Sequence, residues 1–401
     1  MPEAVIVATA RSPIGRAFKG SMKDERPDDI TAQIVKAVLA KVPELDPNEV
    51  EDLMLGCGSP AGEQGFNMAR VVSVLAGLPN VPGVTVNRYC SSSLQTIRMA
   101  AHAIKAGEGD TFIAAGTEFV SRYGNGASDN ATAVNPVFGE AHARTEKREQ
   151  GDAEKWTAPE GLPDIYISMG QTAENVAQIE NVTREEQDRW GVRSQNRAED
   201  AINRGFYEMD ITPITLADGS TLAKDDGPRP GTEYEKISQL KPVFRPDGTV
   251  TAGNACPLND GAAAVIVMSD TKAKELGLTP LARIISSGVT GLNPEIMGLG
   301  PVEATRMALA RAGMTIDDVD LVEINEAFAA QVLPSAKHLG IDHDKLNVNG
   351  GGIALGHPFG MTGARIMTTL INGLKDSDKT IGLETMCVGG GQGMAMIIER
   401  L

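Results

Sequence analysis

Short apolar runs alternate with amphipathic stretches at the start of this chain. Ala4–Ala8, Leu53–Leu55 and Gly83–Val86 read as buried strands, while Ile30–Leu39 carries its apolar residues at helical spacing. After Cys90, apolar residues recur at Leu94, Ile97, Ala101 and Ile104 and stop before Gly107 and Gly109. That spacing predicts a glycine-terminated helix over 91–106, followed by a strand at 110–116. The rhythm then breaks down: 121–250 holds a charged run from Ala141 to Glu160 and frequent Gly and Pro. Thr183 followed by Glu186 predicts a capping box opening a helix to about Asn203. Few runs there suit strands, so the region is expected to be an insertion or lid. From 251 the alternation returns, with strands expected at Ala262–Met268, Ala282–Ser287 and Asp320–Ile324, and helices at Glu303–Ala312 and from Glu326.

The second half echoes the first. Leu346–Asn349, a turn containing His357, a helix over Gly360–Leu374 and a strand at Thr380–Met386 repeat the order of Gly83–Asn87, the Cys90 turn, its helix and the strand after it. The expected organisation is an α/β fold in three parts: 1–120, an inserted 121–250, and 251–401.

Charge and composition then remove function classes. The 37 Lys and Arg against 53 Asp and Glu give a net charge of -16, which disfavours a nucleic-acid partner. No apolar stretch approaches the ~20 residues of a membrane helix, and the N-terminus lacks the basic and apolar regions of a secretory signal. Cys57, Cys90, Cys256 and Cys387 form no C-x-x-C pair. Neither a disulfide framework nor a cysteine-paired zinc site is expected, and a reducing, cytoplasmic setting is.

Four polar residues stand where strands end. Cys90 lies in Asn87-Arg-Tyr-Cys-Ser-Ser-Ser-Leu-Gln95, where the N–H groups of the following helix would lower a thiol pKa from ~8.5. Alone it reads first as a structural cysteine. Cys57, between two glycines with no helix after it, reads as core filler. His357, in the glycine-dense Asn347–Arg365 stretch, is the best base among five histidines, against the bland alternative of a loop histidine capping a carbonyl. Cys387 heads Met386-Cys-Val-Gly-Gly-Gly-Gln-Gly393, whose glycines can aim N–H groups at an oxyanion. Asn325 follows the expected strand ending at Ile324. The strand ends of an α/β sheet share one rim, where ligands bind.

Taken together these segments resemble the thiolase family, in family order and over the whole chain, from Thr9-Ala-Arg-Ser-Pro-Ile-Gly15 through Thr251-Ala-Gly-Asn-Ala-Cys-Pro-Leu-Asn-Asp-Gly-Ala262 to the Cys387 segment. The resemblance implies duplicated domains layered α-β-α-β-α with an inserted loop domain. It implies that Cys90 is the acylated nucleophile, His357 the base that takes its proton, and Cys387 the second acid and base. Asn325 corresponds to a residue holding a water in one oxyanion hole with His357. The N–H groups of Cys90 and Gly389 correspond to the other hole. Coenzyme A is a substrate and no cofactor or metal is implied. Arg229 resembles a loop-domain arginine near the adenine end of CoA, and Phe244, Met297, Phe328 and Met169 resemble apolar contacts to the substrate, for which ordinary core packing is the alternative. Cys256 stands where the family commonly has serine, at a pantetheine contact, and the segment Tyr166-Ile-Ser-Met-Gly170 lacks a histidine frequent in acetoacetyl-CoA-forming members. The missing histidine, with Asn87-Arg-Tyr-Cys90 and His357-Pro-Phe-Gly360, favours a degradative 3-ketoacyl-CoA thiolase, and the resemblance implies homodimers or homotetramers. The alternatives are a biosynthetic acetoacetyl-CoA thiolase and, further off, a non-catalytic lipid-CoA binding protein.

Overall fold

The computed structural model describes residues 2–126, 133–151 and 154–401. In chain order the strands are β1 (Ala4–Arg11), β2 (Gly15–Arg16), β3 (Asp52–Cys57), β4 (Gly83–Val86), β5 (Thr111–Phe119), β6 (Ile214–Thr215), β7 (Thr221–Leu222), β8 (Asn259–Ser269), β9 (Ala282–Gly291), β10 (Leu321–Ile324), β11 (Ile381–Val388) and β12 (Gln392–Arg400). β6 and β7 form a small ribbon, and β2 pairs with the start of β8. The others follow the order β10-β11-β12-β9-β1-β8-β5-β3-β4.

This sheet is two copies of one pattern. In the first half β1, β8 and β5 are antiparallel neighbours, then β3 and β4 continue in parallel. In the second, β9, β12 and β11 are antiparallel and β10 continues in parallel. The copies touch through a short antiparallel contact, Val5 with Arg283 and Ile6 with Ala282. The register moves one boundary read from the sequence. β8, assigned there to the part beginning at 251, is hydrogen-bonded between β1 and β5, so the first half's sheet is complete only at Ser269. An apolar run shows that a strand exists but not which neighbours it takes.

The counterpart of β4 also differs from expectation. Leu346–Asn349 forms no strand, only a parallel bridge between Leu346 and Val322. Asn347 takes over the pairing with its side chain: Oδ1 accepts from the N–H of Ile324 and Nδ2 donates to its carbonyl, both at 2.9 Å. One amide side chain thus satisfies the backbone groups that a fifth strand would have paired. The helix expected from Glu326 begins instead at Ala329, because Phe328 is extended and bridged to Ala255.

Alternating residues send the two faces of each sheet into different cores. Val5, Ile113, Ala264 and Ile266 pack under helices Pro27–Ala40 and Met68–Leu75, and Ala395, Ile397 and Val322 under Gly300–Ala312 and Ala329–Leu339. The opposite faces, with Ile6, Ala114, Val265, Met386, Met394 and Met396, enclose helices Ser92–Ala106 and Thr362–Asp376. The order of layers is α-β-α-β-α. The two central helices meet at their first turns, where Ala364 N–H donates to Ser93 Oγ (2.9 Å) and a Cβ on Gly363 would lie 2.2 Å from Leu94 N.

Helices Gly139–Glu149, Met169–Glu180 and Arg184–Asn203 build the inserted region, and the capping box forms at Thr183 and Glu186. Buried Arg11 at the end of β1 clamps this insert to the sheet, paired with Asp225 at 2.6 Å and Asp210 at 3.4 Å. Among the described residues no helix is long and apolar enough to cross a membrane.

The helix crossing yields a prediction whose sign discriminates. Helix propensity alone would favour Gly363→Ala by ~1 kcal/mol. Because the added methyl meets backbone, overpacking should win and lower the unfolding free energy by about 1–3 kcal/mol in urea titrations. A gain in stability would mean that the central helices part freely.

Candidate active site

Cys90 is held on a tight elbow. After β4 the side chain of Asn87 accepts from Tyr89 N–H (2.8 Å), Tyr89 takes φ +43°, and a 3-10 turn over Tyr89–Ser91 leads into helix Ser92–Ala106. A tyrosine in left-handed conformation is uncommon, and here it turns the chain sharply into the helix. The N–H groups of Gly389 and of Cys90 itself point at the sulfur. They do not produce the lowered pKa expected from the sequence: Cys90 is buried, and desolvation pushes its thiol up to about 12. Loss of water outweighs the two N–H dipoles.

His357 is fixed at both ring nitrogens. Its backbone N–H donates to Asn259 Oδ1 (2.9 Å), across Gly356 at φ +114°. Nδ1 lies 2.6 Å from Thr362 Oγ1, and Thr362 donates its own hydroxyl proton to Pro358 O (2.7 Å). That hydroxyl can therefore only accept from His357, which puts the imidazole proton on Nδ1. Nε2 is left as an acceptor and receives Asn325 Nδ2 at 3.2 Å. Burial, with help from Arg365, lowers the pKa to about 3, so the ring rests neutral. Asn325 follows β10, its N–H donating to Thr385 O on β11, while its buried Oδ1 has no partner among the described residues.

Cys387 lies within β11 rather than beyond a strand, and its side chain enters a small apolar core with Ala173, Met297, Ala327 and Phe328. Met169, Phe244 and Cys256 pack against the same core. Phe244 and Phe328 meet edge to face at 6.1 Å between centroids. Burial first, then Cys90 and Cys256, raises the Cys387 pKa; burial first, then Cys90, pushes Cys256 up to about 12. The three sulfurs are thus within electrostatic reach of one another, Cys90 and Cys387 buried and Cys256 half-buried. Cys57 stands apart, 3.8 Å from Glu118 Oε1.

Arg229 is not in this group. It is exposed on the insert, with its N–H on Gln195 Oε1 and no ion pair among the described residues. Its segment still touches the site's frame: a Cβ on Gly227 would lie 2.3 Å from Ala354 O, just before His357. Two surface cavities, of about 350 and 400 Å3, lie beside Asn181 and Val182 and contain none of Cys90, His357 and Cys387. The described residues also bring no three His, Cys, Asp or Glu side chains together as a metal site.

The comparisons with known proteins agree with one another. The family description "Thiolase, N-terminal domain" matches residues 4–271 and "Thiolase, C-terminal domain" matches 278–400. The chain belongs to the thiolase family. The break between the two family domains follows β8, as the sheet register does. Among thiolase relatives, 3-ketoacyl-CoA thiolases of Bacillus subtilis (strain 168) and Idiomarina loihiensis are 44% and 45% identical, each alignment covering 100% of both chains. A solved structure titled as the Bacillus anthracis acetyl-CoA acetyltransferase superposes with a TM-score of 0.87 at 40% identity, covering 100% of this chain and 99% of that one.

Sequence reasoning missed the residues that orient the thiolase site. Thr362 carries a usable signal, a hydroxyl five residues after His357 at a helix start. Asn259 and Glu118 carry none, since only the fold brings them in. Glu118 is buried and accepts from Gly58 N, Ser59 N, Gln64 Nε2, Tyr123 Oη and Gly360 N, bracing the His357 loop from β5.

Two predictions arise from the imidazole. Thr362→Val removes the acceptor that fixes its tautomer and should lower kcat about 10- to 100-fold, part of the ~10²–10⁴ of a placed acid or base. Thr362→Ser should restore it, and unchanged kcat in Thr362→Val would refute the tautomer assignment. The second concerns pH. An imidazole that protonates at 6.5 when free but at about 3 when folded adds its full share of stability above 6.5 and loses it as pH falls toward 3. The unfolding free energy of wild type minus that of His357→Gln should hold level above pH 7 and decline below it. A difference independent of pH would contradict the buried neutral ring.

Proposed function

We infer that this chain is an acetyl-CoA C-acyltransferase that cleaves 3-ketoacyl-CoA with CoA, using Cys90 as nucleophile. The observation that carries the reading is the pair of N–H groups, from Cys90 and Gly389, trained on a buried sulfur, with Cys387 within electrostatic reach and an acceptor imidazole held beside Asn325.

The resting site is a neutral thiol and a neutral imidazole. Attack on the 3-keto carbon therefore moves the Cys90 proton to His357 Nε2 as the carbon–sulfur bond forms. The carbonyl oxygen becomes an alkoxide, served by protonated His357 and by a water for which Asn325 supplies polar atoms. Cleavage of the bond between C2 and C3 leaves an acyl thioester on Cys90 and an acetyl-CoA enolate, to which Cys387 gives its proton. The incoming CoA thiol passes a proton back to Cys387 and attacks the thioester, and the oxyanion of this step faces the N–H groups of Cys90 and Gly389. Collapse of that intermediate breaks the bond to the Cys90 sulfur, which takes its proton back from His357, and the acyl-CoA released is two carbons shorter. Met169, Phe244, Met297 and Phe328 supply an apolar wall beside the reacting carbons, and Arg229 a cation for the nucleotide end of CoA.

The relatives named 3-ketoacyl-CoA thiolase support the degradative direction, with a place in fatty-acid β-oxidation, a cytoplasmic setting and a homo-oligomer as its expected context. The superposed acetyltransferase favours a second reading, the same chemistry run with acetyl units alone. Cleavage of a 3-keto substrate longer than acetoacetyl-CoA separates the two, since activity confined to acetoacetyl-CoA would favour the second.

The cysteine roles predict distinct failures. After incubation with acetyl-CoA, intact-protein mass spectrometry should find an acetyl group on wild type and on Cys387→Ala but none on Cys90→Ala. Cys387→Ala should nevertheless lose carbon–carbon cleavage by more than ~10²-fold. Acetylated Cys90→Ala would reject the assignment.

A further inference from the structure

Gly389 sits in a turn with little of its own to hold it. Gly389, Gly390 and Gly391 connect β11 to β12, whose last paired residues are Val388 and Gln392, and Gly390 and Gly391 take φ of +73° and +77°. Three residues without side chains have the widest conformational choice of any turn, so hydrogen bonds to neighbours must fix their peptides. There are two on the turn's carbonyls: Leu292 N–H donates to Gly391 O (2.8 Å) and Gln392 Nε2 donates to Gly389 O (3.1 Å).

The Gln392 amide is held at its other end by a cation. Arg88 Nη1 donates to Gln392 Oε1 at 2.8 Å, while Arg88 Nε donates to Gln95 Oε1 at 3.1 Å and its backbone N–H to Ser92 Oγ at 2.9 Å. The guanidinium is therefore seated on the first turn of the helix that follows Cys90. In a chain of net charge -16, this half-buried arginine forms no ion pair among the described residues and donates to two amide oxygens instead. An ionised donor makes the stronger kind of hydrogen bond.

The two N–H groups at the Cys90 sulfur come from opposite halves of the molecule, one from the elbow after β4 and one from the β11–β12 turn. The Arg88–Gln392–Gly389 chain, with the Tyr89 ring packing on Gly389, ties those segments together at this point. We propose that Arg88 and Gln392 are positioning residues: as a strut between the halves, they set the separation of the two oxyanion donors. A donor displaced by a fraction of an ångström loses most of its value toward a developing charge. The proposal rests on the acyl-enzyme reading above.

The test compares two reactions of the same sulfur in wild type, Arg88→Met, Gln392→Met, Gln392→Glu and the double Met variant. Acylation by acetyl-CoA builds an oxyanion; alkylation by iodoacetamide builds none. Gln392→Glu keeps an acceptor for Arg88 but cannot donate to Gly389 O. All variants should acylate roughly 10- to 100-fold more slowly, a share of the ~10²–10³ lost with an oxyanion donor, and alkylate at the wild-type rate. The double variant should be no slower than the slower single, as expected for two parts of one strut. Unchanged acylation in Gln392→Met, a matching loss of both reactions, or multiplying effects in the double variant would overturn the strut alone. A wild-type protein that takes no acyl group on Cys90 would overturn the parent reading with it.

Discussion

Everything at this site depends on how closely two buried helices approach. Ser92–Ala106 and Thr362–Asp376 lie between the sheets, and each begins where a reactive side chain ends, Cys90 before one and His357 before the other. Their first turns are in backbone contact at Gly363 and Leu94 and share the bond from Ala364 to Ser93. Each sheet packs its own outer helices, and the shared middle layer joins the short β1–β9 contact in fixing one half against the other. The distance between the proposed nucleophile and its proposed base is therefore a property of the core rather than of any loop.

The same burial decides the electrostatics. With water excluded, no thiol of the cluster and no imidazole can hold a charge at rest, so reactivity is not stored as a thiolate. In the proposed mechanism it is generated when substrate supplies an oxygen on which charge can settle, and prealigned N–H groups then act in a low-dielectric space where each counts for more. Glu118 shows the structural side of this economy. Burial raises its pKa, and hydrogen bonds from Tyr123, Gly58, Gln64 and Gly360 oppose that rise without cancelling it, the arrangement that lets a buried carboxyl group hold the His357 loop.

Much of the architecture could be read in advance because apolar periodicity reports burial directly. The strands at Ala4, Leu53 and Gly83, the helix after Cys90 and the capping box at Thr183 are local features, and local features are legible. Pairing is not local. Neither the placement of β8 in the first half nor the replacement of a strand by one asparagine side chain leaves a periodic trace. The thiol pKa failed for a related reason: sequence position implied a helix start, but the depth of burial, which won, is a property of the packed whole. His357 and Cys387 stood out in the sequence for their glycine-rich surroundings, Cys90 and Asn325 for following an apolar run at a strand-to-helix turn, and Met169, Phe244, Met297 and Phe328 because the family resemblance pointed to them. Thr362, Asn259 and Arg88 escaped because ordinary polar residues become significant only through what they touch.

Where the chain leaves the first sheet has its own consequence. Phe119 at the end of β5 is the ladder partner of Asp260 near the start of β8, and Ser121 binds the Asp260 carboxylate through both N–H and hydroxyl. The insert thus departs and returns across a single rung of the β5–β8 pair, so to those two strands it is one oversized hairpin turn, pinned elsewhere by Arg11. Growth, trimming or exchange of that segment alters no strand order and no register, and loop closure grows more costly only logarithmically with length. Evolution could therefore tailor the insert without renegotiating the scaffold beneath it.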